Sequence, residues 1–211
     1  MLGDSQLRGE QTRGRILDAA LEAFATHGYD ATGVAEVCRR AGVTKGAFYY
    51  HFAGKQQLFL QMLTRWLQQT DLQLEAFGSS PGRAPQKLVA MTALLDQVFQ
   101  QAGDKLPIFL EFLAAAAHTQ AVQEVTVVPF RRYEGLLADA VSAGMAEGSL
   151  RTVDTHMAGH LLLAFAIGVL ASALLDPQGA DWGDVAREGM EILLSGLMSP
   201  DEHLRLSQPS P

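Results

Sequence analysis

The residues from Ala41 to Lys55, AGVTKGAFYYHFAGK, combine small side chains with hydrogen-bond donors at helical spacing. Gly42 can end one helix because glycine adopts the left-handed conformation without steric cost, and Thr44 can cap the next helix. Phe48 and Phe52 are four residues apart, so they share a face that can anchor this second helix. A short helix with a small N-terminal end and donors near its middle can enter a DNA major groove. The pattern predicts a helix-turn-helix.

Residues 28–59, GYDATGVAEVCRRAGVTKGAFYYHFAGKQQLF, resemble the DNA-binding signature of the TetR family of bacterial transcription regulators. Residues 13–32 resemble the first helix of that family, and the agreement is nearly continuous. One departure is Gly33, where the family usually has Ser or Thr. That position loses a hydroxyl that can cap the second helix and contact a phosphate. We therefore expect Thr32 to take both roles.

The resemblance also implies which residues face DNA. It assigns phosphate contacts to the donors Tyr49, His51 and Lys55, and it assigns positions near base edges to Lys45, Ala47 and Tyr50. The side-chain types agree with these roles, since phenol, imidazole and ammonium groups are suitable donors. Ordinary packing is the alternative for the two tyrosines, and His51 could instead brace the next helix. The predicted DNA-binding set is Thr32, Gly33, Thr44, Lys45, Gly46, Ala47, Tyr49, Tyr50, His51 and Lys55.

Composition favours an all-α protein with two differently charged parts. The chain has 211 residues, of which 48% are hydrophobic and 8% aromatic, and long segments are rich in Ala, Leu, Gln and Glu. The net charge of −7 is unevenly distributed: residues 1–65 hold 8 basic and 6 acidic residues, and the remainder hold 8 and 17. A slightly basic N-terminal part suits contact with phosphates, and an acidic remainder keeps nonspecific DNA binding weak.

Apolar periodicity and breakers predict nine helices, and the resemblance implies that they form a two-domain, TetR-like architecture. We expect a helix-turn-helix domain over residues 1–54 that opens with a loose arm up to Gly9. A fourth helix, 55–77, connects it to an effector-binding and dimerisation domain over 55–198. A fifth helix is expected over 86–101, and a long seventh helix that bends near Pro129 should end at Ala146. The polar, proline-rich tail 199–211 is expected to be disordered.

Helices 5 to 8 carry more large apolar side chains than a thin helical layer needs, which predicts an effector pocket. Glu111, His118, Arg131 and Tyr133 are the candidate polar partners there, although His118 could instead be a capping or hydrogen-bonded residue. The expected effector is a small, mainly hydrophobic organic molecule. The predicted ligand-binding set is Met91, Leu95, Phe99, Phe109, Phe112, His118, Phe130, Tyr133 and Phe165.

Small residues recur every four positions along the eighth helix, and such a face lets another backbone approach closely. The ninth helix offers an apolar stripe. The resemblance implies that these two helices form the four-helix bundle of a homodimer, whereas packing within one chain is the alternative. The predicted interface set is Ala164, Gly168, Ser172, Leu175, Met190, Leu193 and Leu197.

Other chemistry finds little support in the sequence. No phosphate loop, nucleophile elbow or metal-ligand cluster is present, so we expect no enzyme activity, no cofactor and no metal. His156 and His160 have the spacing of a dihistidine metal clip but lack an obvious third ligand beyond Asp154. Cys38 is the single cysteine and is interpreted as a buried small hydrophobe rather than a redox sensor. The most apolar stretch, Leu161 to Leu175, is about 15 residues, shorter than the roughly 20 that span a bilayer.

The sequence therefore predicts a cytoplasmic, ligand-responsive transcription regulator with no membrane partner. We expect a homodimeric repressor on double-stranded, near-palindromic operator DNA, released by its effector. Two alternatives remain: a DNA-binding regulator without an effector that a protein partner controls, and a small-molecule binding protein with a vestigial DNA-binding head.

Overall fold

The computed structural model describes residues 4–78, 81–95 and 106–200, and these residues form an all-α fold, as predicted. Within this part of the chain the only strand-like pairing is an isolated bridge between Leu150 and Met198. Within residues 4–78, 81–95 and 106–200 the helices are α1 Asp4–His27, α2 Val34–Ala41, α3 Lys45–His51, α4 Lys55–Gly78, α5 Ala84–Met91, α6 Leu106–His118, α7 Gln120–Ala146, α8 Thr155–Leu175 and α9 Trp182–Ser195.

The described residues divide into two compact units. Unit 1 contains residues 4–68 and 106–126, and unit 2 contains 69–78, 81–95 and 127–200. The long helices α4 and α7 each contribute to both units. The boundary predicted after residue 54 divides the DNA-binding part from the effector-binding part, and it does not coincide with the division into compact units. It stays a prediction.

Unit 1 is built around aromatic side chains from α1, α3 and α4. Phe24, Phe48 and Phe52 are at most 1% exposed, and Leu58 of α4 is also fully buried. Burial of each such side chain favours folding by about 1.5–3 kcal/mol. Helix α6 packs against α1 in the same unit. The three N-terminal helices are therefore held from inside by a shared apolar core.

Helix α1 begins earlier than the sequence predicts. The expectation of a loose arm up to Gly9 is wrong from Asp4 onwards, because this stretch is already helical. Its residues are mostly good helix formers, and the Thr12 hydroxyl donates to the Arg8 carbonyl oxygen at 2.8 Å. No proline interrupts the run into the amphipathic part of α1, so the helix extends without a break.

Unit 2 has its own core of aliphatic side chains from α5, α7, α8 and α9. Leu88, Val141 and Leu194 are fully buried there. Close backbone approach contributes as well, because a methyl group at Gly159 of α8 would lie 2.6 Å from the Glu134 carbonyl oxygen of α7. These contacts set which face of α8 lies against its own chain.

The segment after α9 is tied back to the α7–α8 connection. The Arg151 amide donates to the Leu197 carbonyl oxygen at 2.8 Å, and the Arg151 guanidinium donates to the Gly196 carbonyl oxygen at 2.8 Å. Ser199 donates from its amide to Ser149 and from its hydroxyl to Gly148. The expected tail beyond residue 200 lies outside the described residues.

Helix α8 is longer than its most apolar stretch suggests. It runs for 21 residues with a mean hydropathy of 2.1 in its best window, so by length and composition it could cross a membrane. The apolar stretch from Leu161 to Leu175 is about 15 residues, and the helix is longer because it begins at Thr155. One such helix is weak support for a membrane span, since core helices of other proteins pass the same test.

Candidate DNA-binding interface

Helices α2 and α3 are joined by a tight turn whose backbone groups are satisfied locally. Gly42 has φ 63°, in the left-handed region, and its amide donates to the Arg39 carbonyl oxygen. The Val43 amide donates to the Cys38 carbonyl oxygen at 3.0 Å. Thr44 then caps α3, since its hydroxyl oxygen accepts from the Ala47 amide at 3.1 Å. The local sequence therefore sets both the end of α2 and the start of α3.

Helix α3 separates its anchors from its exposed side chains. Phe48 is fully buried, and Phe52 follows the helix with 1% exposure. On the other side, Tyr49 is 56% exposed and Tyr50 is 83% exposed. The rings of Tyr49 and Phe48 are nearly perpendicular in a T-shaped contact, with centroids 5.3 Å apart. Two phenol hydroxyls thus lie on the exposed face of a helix whose opposite face is packed into the core.

The N-terminal end of α3 presents small and charged residues. Lys45 and Gly46 are exposed, and Ala47 is half-buried. His51, at the C-terminal end, is half-buried near α1, because a methyl group at Gly9 would lie 3.9 Å from its Cε1 atom. The outer face of α3 therefore has small side chains near its N-terminal end and aromatic hydrogen-bond donors further along.

The expectation that Thr32 caps α2 and contacts a phosphate is wrong. Thr32 is 2% exposed, and its hydroxyl lies 2.8 Å from the Gly28 carbonyl oxygen and 3.2 Å from that of Ala23. The N-cap of α2 is Gly33, which has no side-chain cap. The hydroxyl of Thr32 instead fixes the turn that follows α1. Gly33 remains exposed and offers only its backbone.

Lys55, another predicted phosphate contact, is engaged within unit 1. Its ammonium donates to the carbonyl oxygens of Tyr29 at 2.7 Å and Asp30 at 3.2 Å. It also lies 4.2 Å from the centroid of the Tyr29 ring, a cation–π distance. Lys55 thus joins the start of α4 to the α1–α2 turn, whatever further contact it makes with DNA.

An ion-pair cluster on α2 was not singled out from the sequence. Glu36 accepts hydrogen bonds from Arg39 at 2.8 Å and from Arg40 at 2.6 Å. The hydrogen bonds from Arg39, followed by those from Arg40, lower the pKa of the Glu36 carboxyl to about 2. The i, i+3 and i, i+4 spacing of the three residues is the sequence signal that could have revealed the cluster.

The predicted effector residues occupy different environments. In unit 2, Met91 and Tyr133 are buried, and Leu95, Phe130 and Phe165 are half-buried. Burial, followed by the charge of Asp71, raises the pKa of the Tyr133 phenol well above its usual range. This subset combines apolar side chains with one phenol group.

The other predicted effector residues do not join that subset. The expectation that His118 faces the core is wrong, because His118 is the exposed last residue of α6 in unit 1. Phe99 lies outside the described residues, and the side chains of Phe109 and Phe112 are also outside them.

An exposed apolar face lies along α8. Met157, Leu161 and Leu175 are 56%, 60% and 83% exposed, respectively. Ala164 is exposed on the same side, and no heavy atom lies within 4 Å of a methyl group placed at Gly168. Such a row of exposed apolar residues is typical of a surface that binds another protein surface.

The predicted contribution of α9 needs one correction. Leu193 is 38% exposed and its neighbour Ile192 is 71% exposed, whereas Met190 is only 4% exposed. Met190 belongs to the core of unit 2, so the expectation that it lies in an interface is wrong. Ser172 and Leu197 are half-buried.

The histidine pair on α8 is not part of a metal site in the described residues. His160 lies with its Nδ1 atom 2.7 Å from Glu134 Oε1, and His156 is exposed. No group of three or more potential metal ligands occurs across 4–78, 81–95 and 106–200. The lone cysteine, Cys38, is buried in α2, and burial raises the pKa of its thiol.

Two family models match this chain. One describes bacterial regulatory proteins of the tetR family and matches residues 16–62. The other describes the C-terminal part of BetI-type transcriptional repressors and matches residues 84–198, more than half of the chain. Together they cover both the helix-turn-helix and the helices that follow it.

Individual relatives agree with these matches. The chain is 27% identical over 208 residues to the HTH-type transcriptional regulator AcrR of Shigella flexneri, covering 92% of this chain and 93% of that protein. A Saccharomonospora viridis transcriptional regulator solved in complex with choline has a TM-score of 0.80, with 19% identity over 90% of this chain and 99% of its own. Bacillus subtilis FadR, solved in complex with stearoyl-CoA, has a TM-score of 0.76, with 18% identity over 87% and 98% of the two chains.

The structural neighbours show the fold, and the family models add the function. Helices α2 and α3 form the helix-turn-helix that the N-terminal model describes, and α5 to α9 fall within the C-terminal one. The chain therefore belongs to the TetR family of bacterial transcription regulators, and it is a ligand-responsive, DNA-binding regulator.

Proposed function

We propose that this regulator is a homodimeric repressor that binds a near-palindromic operator. In this proposal, α3 of each subunit enters one of two successive major grooves, and a small, mainly hydrophobic organic molecule releases the dimer. The division of α3 between the buried Phe48 and the exposed Tyr49 and Tyr50 is the observation that carries this proposal. A helix anchored from below can bring its outer side chains to base edges and phosphates without moving its backbone.

The DNA-facing surface consists of Lys45 to Ala47 at the N-terminal end of α3, followed by Tyr49, Tyr50 and His51. The small residues allow close approach, and the ammonium and phenol groups supply donors. Lys55 contributes mainly by holding the α1–α2 turn, since its ammonium already binds two carbonyl oxygens there. Thr32 is excluded from this surface by its burial.

Dimerisation would occur through the apolar face of α8 together with the exposed residues of α9. Leu161, Leu175 and Ile192 are each at least 60% exposed, which is costly in water unless another apolar surface covers them. The open position of Gly168 would allow the backbones of two α8 helices to approach closely. A second copy of this chain supplies a matching face, because a twofold axis pairs a surface with itself.

The effector would bind within unit 2, among the apolar side chains contributed by α5, α7 and α8. Met91, Phe130 and Phe165 supply apolar area, and Tyr133 supplies a buried phenol that is hydrogen-bonded to Asp71. An effector can shift the protein only by the difference between its affinities for the two states. We infer a cytoplasmic regulator without catalytic activity, since its relatives are regulators rather than enzymes.

A footprinting experiment tests the DNA-binding part of the proposal. The full chain is incubated with a duplex that covers the region upstream of its own gene, and protected bases are mapped. We expect two protected half-sites separated by one helical turn, about 34–36 Å between their centres. A single protected half-site, or protection that does not depend on sequence, would contradict the proposed dimeric recognition.

A second experiment tests effector release. Lipophilic compounds and metal ions are screened by thermal shift and then by release of the protein from the same duplex. We expect release by apolar organic compounds. Release by metal ions alone would contradict the proposed effector class and would direct attention to His156 and His160.

A further inference from the structure

The turn between α1 and α2 is unusually well anchored for a surface turn. Gly28 ends α1 with φ +81°, a backbone conformation that glycine adopts without strain. The ring of Tyr29 then packs against Phe24 and Phe59, with centroid distances of 5.3 and 4.5 Å. Thr32 fixes the other end of the turn through its buried hydroxyl. The turn leads directly into α2 and therefore sets how the helix-turn-helix begins.

Two charged side chains form hydrogen bonds with the backbone of Tyr29, one with its amide and the other with its carbonyl oxygen. Its amide donates to both carboxylate oxygens of Glu111, at 3.0 and 3.1 Å. Its carbonyl oxygen accepts from the Lys55 ammonium at 2.7 Å. Hydrogen bonds with a charged partner are the stronger kind, so each anchor contributes more than a neutral contact would. Side chains of both α4 and α6 therefore form hydrogen bonds with the turn at Tyr29.

The contact with Glu111 requires a small neighbour. A methyl group at Gly28 would lie 3.3 Å from the Glu111 Oε1 atom, closer than a usual van der Waals contact. Gly28 therefore serves both the left-handed backbone and the approach of the carboxylate. Glu111 itself is 82 positions away from Tyr29 in sequence, on α6, so the contact joins distant parts of the chain within unit 1.

We propose that Glu111 is a positioning residue that couples α6 to the DNA-binding helices through the Tyr29 amide. The proposal rests on the proposed function, because it specifies how a change in α6 reaches the helix-turn-helix. A displacement of α6 would be transmitted through the carboxylate to the turn that precedes α2. The hydrogen bonds of Lys55 would keep the same turn in contact with α4. Removing the carboxylate leaves the aromatic packing of the turn in place but disconnects α6 from it.

Coupling between two sites is reciprocal, so DNA can report on it without a known effector. If Glu111 couples α6 to the head, binding of DNA should slow hydrogen exchange in the backbone of α6 as well as in α2 and α3. The experiment measures amide exchange of the full chain with and without the duplex from upstream of its own gene. The wild type is expected to show protection in all three helices and at the Tyr29 amide.

Glu111→Ala is the central variant. It should still bind the duplex and protect α2 and α3, but the protection of α6 on DNA binding should be lost. Without DNA, exchange of the Tyr29 amide should rise by about tenfold or more, the factor that corresponds to loss of a hydrogen bond to a charged group. Unchanged protection of α6 in this variant would overturn the proposal.

Two further variants separate coupling from folding. Glu111→Gln keeps an acceptor oxygen for the Tyr29 amide, so it should retain most of the α6 response even if Glu111→Ala is poorly folded. Loss of the response in Glu111→Gln together with unchanged exchange of the Tyr29 amide would also overturn the proposal. Glu124→Ala is the matched control, since its carboxylate lies on α7 and accepts from Gln120 at 2.9 Å. If the wild type does not bind the duplex, the proposed function fails, which is distinguishable from failure of the coupling.

Discussion

Helices α3 and α8 both expose large side chains, but the two surfaces differ in chemistry. On α3 the exposed groups are Tyr49 and Tyr50, whose rings carry hydroxyls that water can satisfy. On α8 they are Met157, Leu161 and Leu175, which have no polar group that hydrates. Exposed apolar area costs about 25 cal/mol per Å² relative to burial. The first surface can remain in water between binding events, whereas the second gains free energy when another apolar surface covers it.

The same two helices also differ in length and in how they pack against the rest of the chain. Helix α3 has only seven residues and depends on Phe48 and Phe52 to hold it in place. Helix α8 has 21 residues and approaches α7 closely at Gly159. A short helix is marginal without tertiary packing, so its binding geometry is only as stable as its anchors. The DNA-binding surface should therefore be more sensitive to core mutations than the α8 surface.

The largest expected effect comes from removing the main anchor of α3. Phe48→Ala should destabilise unit 1 by about 3–5 kcal/mol, because it deletes a fully buried ring and leaves a cavity. DNA binding should be lost, while self-association through α8 is retained. Denaturant unfolding, fluorescence anisotropy with DNA and sedimentation measure the three properties. Tyr50→Ala is the matched control and should change stability by less than about 0.5 kcal/mol. Equal destabilisation by both variants would contradict the division of α3 into anchors and exposed groups.

The α8 surface is tested by enlarging Gly168. No neighbouring heavy atom lies within 4 Å of a methyl group placed at this position, so we expect a large effect to come from a neighbouring subunit. Gly168→Leu should weaken association by about 1–3 kcal/mol through overpacking, and Gly168→Ala should have a smaller effect. Sedimentation at several concentrations gives the dissociation constants. A fully associated, DNA-binding Gly168→Leu variant would place the contact between subunits elsewhere.

The division of roles within α3 gives the next prediction. Tyr50→Ala should lower affinity for the preferred sequence by about 1–3 kcal/mol and relax base preference, as expected for a side chain at base edges. Lys45→Ala is the comparison variant, because the resemblance places Lys45 near base edges while its flexible ammonium can also reach a phosphate. We expect the phosphate contact to dominate, so affinity should fall alike on all sequences, and the log–log salt slope should become less steep by roughly 0.9. Binding titrations on several duplexes and salt concentrations distinguish base readout from phosphate contact. Identical profiles for the two variants would refute this assignment.

Local patterns were sufficient to predict much of unit 1. The spacing of Phe48 and Phe52, the left-handed position of Gly42 and the cap at Thr44 all depend on neighbours within four residues. Short-range geometry of this kind is fixed by backbone dihedrals, and the structure has each feature where the sequence predicts it. The helical class of the whole chain follows from the same kind of periodicity.

Long-range contacts explain what the sequence did not reveal. Thr32 was expected to replace the hydroxyl that is missing at Gly33, as a cap and as a phosphate contact, but its hydroxyl is buried against the carbonyl oxygen of Ala23. The contact between Glu111 and Tyr29 spans 82 positions, which no local pattern encodes. On α9, Met190 and Leu193 are both apolar, and periodicity alone does not say which of them faces the core of its own unit. Tertiary packing decides these cases.

A smaller effect is expected at the cap of α3. Thr44→Ala should cost about 1 kcal/mol, because the Ala47 amide loses its acceptor at the start of the helix. Thr44→Ser keeps the hydroxyl and should restore most of the stability. Chemical denaturation of the three proteins measures the difference. A Thr44→Ser variant as unstable as Thr44→Ala would mean that the methyl group, rather than the cap, stabilises the turn.

The smallest expected effect tests whether charge on α2 supports the DNA-binding surface, in contrast to the apolar surface of α8. The carboxyl of Glu36 has a pKa of about 2 in the folded protein, against an ordinary 4.5, because Arg39 and then Arg40 donate hydrogen bonds to it. A lowered pKa favours the folded state above pH 4.5, and this contribution is lost as the pH falls from 4.5 towards 2.

Glu36→Gln should therefore melt at a slightly lower temperature than the wild type at pH 7, and the difference should shrink on acidification. Added salt should also reduce it, since Arg39 is exposed and Glu36 and Arg40 are only partly buried. Glu124→Gln is the control, because its partner Gln120 is neutral. A melting difference that stays constant between pH 7 and pH 3 would show that Glu36 acts through packing rather than through its charge.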